Sequence, residues 1–324
     1  MVLCCTLFVA CEPKIVTTPE RGNPIGFGET GRYNGSHKNT IPDADVNGTL
    51  WGYYGTYMVY NGVDIQLKEF NYNVENSDYA SADIDIEDEQ KYWTDNTYNF
   101  FSITPRVAAT LNTTKKSLEC TFDISATDNH QDTLRIAKTL DIDGGEYNEN
   151  NTAVQMRYEN MLARVKFVGY SELTNREVTL KSIALTTPKT AKYTATASAY
   201  TQSDLSTTEK TTITEEGEYT LYWEGYTRQT NYAGTTVREK GFLVHPGATS
   251  HSTFVVTYID ADGTETTTES IAFPTELVSE WQRGQTYLYT IKIKTAGEIT
   301  FGTVTIQEWG NGGSANISQW DDIK

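Results

Sequence analysis

Carboxylates are the side chains of this sequence best supplied for chemistry. Asp83-Ile84-Asp85-Ile86-Glu87-Asp88-Glu89 is an acidic run, and hard cations are held by clustered carboxylate oxygens. The same run also reads as a strand with Ile84 and Ile86 turned inward and the acids outward. Asp141, Asp143 and Glu146 lie in DIDGGE. That stretch lacks the acid order and the distal Glu of an EF-hand, so a turn is expected. Asp260-Ala261-Asp262-Gly263 sits between two strand patterns and suits a tight turn. A glycosidase would need two carboxylates about 5–10 Å apart across a cleft, and no motif here pairs any. His37, His130, His245 and His251 have no H-E-x-x-H spacing. His245 and His251 flank Pro246-Gly247 and are expected at the surface. No G-x-S-x-G, no Walker loop and no G-x-G-x-x-G after a strand is present. No catalytic, metal-ligating or cofactor-binding residue is expected, and the chain reads as a non-enzyme. Its Trp and Tyr residues at alternate strand positions are expected as core and cross-strand pairs, with a glycan platform as the less common alternative.

The four cysteines are Cys4, Cys5, Cys11 and Cys120. Their crowding at the N-terminus gives neither a disulfide framework nor zinc spacing. Met1 to Ala10 carry no charged side chain, and Leu7-Phe8-Val9-Ala10 runs into Cys11. This resembles a bacterial lipoprotein signal, with Cys11 as the lipidated residue; a buried apolar first strand is the other reading. The segment is too short to span a bilayer. It also lacks the positive region of an export signal, so the true start is expected some residues earlier. Cys120 lies in the alternating LECTF and is expected in a core.

What must position any site is a set of strands. The chain has 324 residues, of which 38% are hydrophobic, with 21 Tyr and 11 Phe taking much of that share. Such residues suit strands, and helix bundles and nucleotide-binding α/β folds are disfavoured. The formal charge of −17 excludes nucleic acid and anionic lipid as partners of the folded surface. Residues 1–24 read as a signal and tether. Tyr57 to Tyr60, then Asn61-Gly62, then Val63 to Leu67 predicts a two-residue hairpin. Asn99-Phe100-Phe101-Ser102-Ile103-Thr104 is an aromatic strand ending at Pro105. Glu87 to Trp93 is the one weak helix candidate. Asp141 to Thr152 is polar and turn-rich, which places a boundary between domains at 25–152 and 153–324. Turn signals every 8–12 residues or so are the β-sandwich rhythm.

The remaining signals occur in order. They are Pro24-Ile25-Gly26-Phe27 with Arg32 beyond, Trp93 before Tyr98-Asn99-Phe100-Phe101, and Met161-Leu162-Ala163-Arg164-Val165-Lys166-Phe167. Trp281-Gln282-Arg283-Gly284-Gln285-Thr286-Tyr287-Leu288-Tyr289 then leads into a last pair of strands ending Glu308-Trp309. With Cys11 they resemble the fimbrillin family of Bacteroidota lipoproteins, the Mfa-like and FimA-like subunits of type V pili. The resemblance implies an all-β chain of two tandem β-sandwich domains with transthyretin-like or Ig-like, Greek-key topology. It also implies a lipid anchor in the outer membrane as the only membrane contact.

The family further implies polymerisation with other pilus subunits or with copies of itself. A protease cuts after an Arg near the first strand, and a strand of the next subunit fills the groove. Arg32 is the first candidate for the cut and Arg21 the second. The candidate donor is the tail 315–324, with Ile317 and Trp320 and with Gly310-Asn311-Gly312-Gly313 to give reach. A frayed terminus is the alternative. Asp132-Thr133-Leu134 resembles a short O-glycosylation pattern, with Thr133 as acceptor. Host or bacterial surface glycans and proteins are further expected partners. A surface glycan-binding lipoprotein of a polysaccharide-uptake system is the alternative function.

Overall fold

The computed structural model describes residues 22–32, 46–67, 79–86, 88–125, 131–173, 176–226, 233–294, 298–308 and 314–317. The chain is nearly all β. It opens with β1 (Phe27–Arg32), β2 (Val46–Tyr54), β3 (Tyr57–Leu67), β4 (Tyr79–Ile86), β5 (Thr97–Thr104), β6 (Ala109–Asn112), β7 (Ser117–Asp123) and β8 (Arg135–Asp143). A short helix, α1 (Gly144–Asn150), precedes β9 (Val154–Met156), β10 (Tyr158–Asn160), β11 (Ala163–Ser171), β12 (Val178–Pro188), β13 (Thr190–Ala195) and β14 (Tyr200–Ser203). Then come β15 (Lys210–Leu221), β16 (Thr235–Val244), β17 (Gly247–Ala248), β18 (Thr253–Ile259), β19 (Glu265–Thr267) and β20 (Ile271–Ala272). The last are β21 (Glu280–Trp281), β22 (Gln285–Ile293), β23 (Ile299–Glu308) and β24 (Ser314–Ile317).

The largest sheet has the order β10-β8-β5-β2-β3-β4-β1-β9. Its two ends, β9 and β10, are separated in the chain by Arg157 alone. The sheet therefore curls until its edges meet. Thr139 in β8 donates to the Gln155 carbonyl in β9 at 2.7 Å, across that seam. The inside of the curl holds one core, with Leu50, Tyr60, Ile65, Ile84, Phe100 and Met156 buried in it. The outside packs on a second sheet, β14-β13-β7-β6, over Trp51, Phe101, Ile136, Leu118, Cys120 and Tyr193. Successive strand residues point to opposite faces, so adjacent pairs feed both cores. Leu50 goes in and Trp51 out, Phe100 in and Phe101 out, Ala137 in and Ile136 out. This accounts for β5, buried from Tyr98 to Thr104.

The third core lies between β16-β11-β22-β23-β24 and β15-β12-β18-β19, with β20 on β18. Val165, Phe167, Leu180, Ile183, Phe254, Tyr289 and Trp281 are buried there. Strand pairing crosses residue 152 in two places. β9 and β10 join the first sheet, and β13 pairs with β7 from Thr190↔Asp123 to Ala195↔Leu118.

Three local expectations are corrected. Asn61-Gly62 is not the hairpin turn: β3 runs unbroken through it, and the turn is at Gly55-Thr56, between paired Tyr54 and Tyr57. Gly62 has φ +67° and sits at a break in register opposite Leu50 and Trp51. It is a β-bulge, which uses the same positive φ that a hairpin would. Residues 88–93 contain no helix, whereas Gly144–Asn150 does. The Asp143 carboxylate caps it, accepting from the Gly145 and Glu146 amides at 2.9 and 3.3 Å. His245 is buried, not at the surface. The Asp260 turn is as expected: its carboxylate accepts from the Asp262 and Thr264 amides, both at 2.9 Å. Ile84 is buried, and Cys120 is a core residue.

Candidate functional site

The candidate site is the slot that β1 fills. β1 pairs antiparallel with β4 from Gly28↔Asp83 to Arg32↔Tyr79, and parallel with β9 from Phe27↔Val154 to Glu29↔Met156. The residues before it are held as closely. The Ile25 amide donates to the Lys91 carbonyl at 2.9 Å, the Trp93 amide to the Asn23 carbonyl at 3.1 Å, and the Val154 amide to the Gly26 carbonyl at 2.8 Å. The Asn23 amide donates to Asn148 Oδ1 at 2.6 Å, tying the segment to α1.

Alternation sets the two anchors. Gly26 is exposed, while Ile25 and Phe27 are 2% and 8% exposed. Phe27 meets Tyr60 and Phe100 edge-on, with centroids 5.7 and 5.1 Å apart. Trp93 packs at 90° on Tyr98, 5.0 Å away. Its buried Nε1 has no hydrogen-bond partner. A chain without β1 would present unpaired N–H and C=O groups on β4 and β9, with two apolar pockets between them. Such a slot fits an extended segment, through main-chain bonds and alternate side chains.

Arg32 is the last residue of β1, so a cut after it frees the whole strand. Arg21 lies outside the described residues, immediately before Gly22; a cut there leaves β1 attached. Cys11 and Trp320 also lie outside the described residues. Ile317 ends β24, which pairs with β23 from Ser314↔Gln307 to Ile317↔Val304. Thr133 is half-buried between exposed Asp132 and buried Leu134, just before β8. Sequence reading had singled out Ile25 and Phe27 as motif residues and not as pocket fillers. It missed Asn148, whose role is set by contact across 125 positions of sequence.

Among the described residues no three His, Cys, Asp or Glu are placed to hold a metal ion, and no helix is long and apolar enough to cross a membrane. His245 is part of a buried hydrogen-bonded joint: Nδ1 contacts Tyr193 Oη at 2.7 Å and Nε2 the Lys189 carbonyl at 3.0 Å. Burial pushes its imidazole down to about 4.

Curled sheet, stacked second sheet and β1 slot define an all-β, strand-built protein. The fimbrillin-like family model matches residues 55–309, and the chain belongs to that family. Its members are structural proteins, and this chain is not an enzyme. Two solved structures share its fold. One is a proposed cell adhesion protein from Bacteroides uniformis, 16% identical, with a TM-score of 0.51 over 88% of this chain and 98% of that one. The other is a fimbrial protein from Bacteroides vulgatus, 12% identical, with a TM-score of 0.51 over 89% of this chain and 99% of that one. No curated protein matches the sequence.

Proposed function

We propose that this chain is a fimbrial subunit of the cell surface that assembles by strand donation. The observation that carries the reading is β1: a short N-terminal strand between two others, anchored by Ile25 and Phe27 and ended by Arg32. Cleavage after Arg32 would empty the slot, and the tail of the next subunit would fill it. Arg32 is favoured over Arg21 because only the first cut detaches the strand. Within the tail, Ile317 and Trp320 are three residues apart and fall on opposite faces of an unbroken strand. Ala315 and Ile317 are the pair with the spacing of Ile25 and Phe27. Ile317 is therefore the pocket filler, and Trp320 packs elsewhere.

Anchoring through lipidated Cys11, location at the outer membrane and O-glycosylation of Thr133 belong to the same reading. Intact mass from a native host tests the two modifications: a diacylglycerol on Cys11 and a glycan on Thr133 are expected, and an unmodified mass contradicts both. A division into two sandwich units is also proposed, with residues 153–162 and 190–203 counted with the first. Their pairing with β1, β7 and β8 supports that assignment.

The test of assembly is Arg32→Ala. The variant should give no high-mass ladder on an unboiled gel after exposure to an Arg-directed protease, while Arg21→Ala should ladder like the wild type. An undiminished ladder from Arg32→Ala would sink the assignment.

A further inference from the structure

The third core is covered on one side by β15, β12, β18 and β19, with β20 on β18. Alternation turns Leu180, Ile183, Phe254 and Val256 into that core and leaves their neighbours on the outer face. Register sets those outer residues in three rows across the strands. Thr214, Ala184 and Val255 form the middle row. In the row on one side the Thr186 and Thr212 hydroxyls bond each other at 2.8 Å. In the row on the other side Thr257 and Thr267 do the same at 3.0 Å. Across the three rows the one charged side chain is Glu216, at the β15 margin, opposite Ser182. Lys210 stands at the other end of the same strand, and both are exposed.

The solvent faces of other sheets carry ion pairs, such as Lys192–Glu119 at 2.8 Å and Lys292–Glu224 at 2.7 Å. A chain of formal charge −17 repels its own copies over most of its surface. This face lacks that repulsion. Its paired hydroxyls are already bonded within the sheet, so covering them costs less than covering free ones. Strands about 4.8 Å apart and same-face residues about 6.8 Å apart allot about 33 Å² to each position. Roughly ten uncharged positions then bury on the order of 600 Å² in total when two copies meet. That is about half of what the smaller stable pairings bury. Two single copies therefore hold each other weakly, and a row of copies along a fibre holds firmly.

We propose that this face packs on the same face of a second copy, strands antiparallel about a two-fold axis, and so bundles neighbouring fibres. The Lys210 end of each copy then lies over the Glu216 end of the other, which matches opposite charges at both margins. The bundling rests on the strand-donation reading, and the contact between faces does not.

The test uses the full-length chain, cleaved by an Arg-directed protease, with the fibres collected by low-speed centrifugation and imaged. Val255→Lys sets a cation against its own mate at the centre of the contact, and Thr121→Lys, at an exposed position of β7, is the control. Wild-type and Thr121→Lys fibres should pellet as bundles. Val255→Lys fibres should grow equally fast, stay single and pellet about tenfold less, since repetition multiplies the loss. Lys210→Glu or Glu216→Lys alone should reduce the pellet, and the two together should restore it. Single wild-type fibres, bundles of Val255→Lys equal to wild type, or no restoration by the paired exchange overturns the proposal. Sedimentation of the intact protein at about 1 mM, where contacts of about 4 kcal/mol are visible, separates face from fibre. Wild type should self-associate there and Val255→Lys should not. If cleaved wild type forms no fibres, strand donation falls; intact wild type that is also monomeric at that concentration overturns the contact between faces as well.

Discussion

Phe27 meets Phe100 edge-on, their centroids 5.1 Å apart, and so joins the strand proposed for removal to the strand at the centre of the molecule. Phe100 is fully buried inside the curl, and Phe27 is 8% exposed at its rim. Phe27→Ala removes an anchor of β1 without touching β5. Truncating a buried Phe costs about 3–5 kcal/mol, and the rim position argues for the lower end. The midpoint of urea unfolding should fall accordingly, and protease should release β1 faster than from wild type. An unchanged midpoint would mean that the pocket contributes little to the hold on the strand.

Gly62 is strained by any side chain. Its φ is +67°, and a Cβ there would lie 3.2 Å from the Trp51 Nε1. Gly62→Ala should destabilise by about 1–2 kcal/mol, the cost of a left-handed conformation for an L-residue. Gly55 also has positive φ but has nothing within 4 Å, so Gly55→Asn should be nearly neutral. Thermal unfolding of the two variants separates the bulge from the turn; equal losses would contradict the assignment.

His245 makes stability depend on pH. In the fold its pKa is about 4, against an ordinary 6.5, because burial disfavours the cation. The unfolded chain therefore binds a proton that the folded chain does not, and stability falls as pH drops from about 6.5 to about 4. At one pKa unit per 1.36 kcal/mol, the loss is on the order of 3 kcal/mol. Above pH 6.5 or so both states are neutral here and the group contributes no slope. Urea unfolding at several pH values should show this slope in wild type and a reduced one in His245→Gln. A wild-type slope retained by the variant would assign the effect to other groups.

The strand rhythm was readable in the sequence because alternation survives one residue at a time. The aromatic run at Tyr98 to Phe101 was legible as a strand, but its double burial requires a sheet with a core on each face. Asn61-Gly62 misled because bulge and hairpin ask the same thing of a glycine. What decided between them was Gly55, which closes the hairpin between Tyr54 and Tyr57. Helix α1 has no apolar periodicity, and only the Asp143 and Glu146 spacing, a capping pattern, announced it. His245 looked exposed beside Pro246-Gly247 because its partners, Lys189 and Tyr193, lie more than fifty positions earlier. The slot itself was half legible. The motif around Ile25 and Phe27 is local, whereas β9, which walls one side, comes from beyond the stretch read as a domain boundary.

Electron microscopy of the purified chain before and after Arg-directed cleavage bears most directly on assembly by strand exchange. Fibres should be absent from the intact protein, appear once the peptide ending at Arg32 is lost, and be absent again in a chain truncated after Glu308. Monomers that persist after complete cleavage at Arg32, or fibres formed equally well by the truncated chain, would contradict the account.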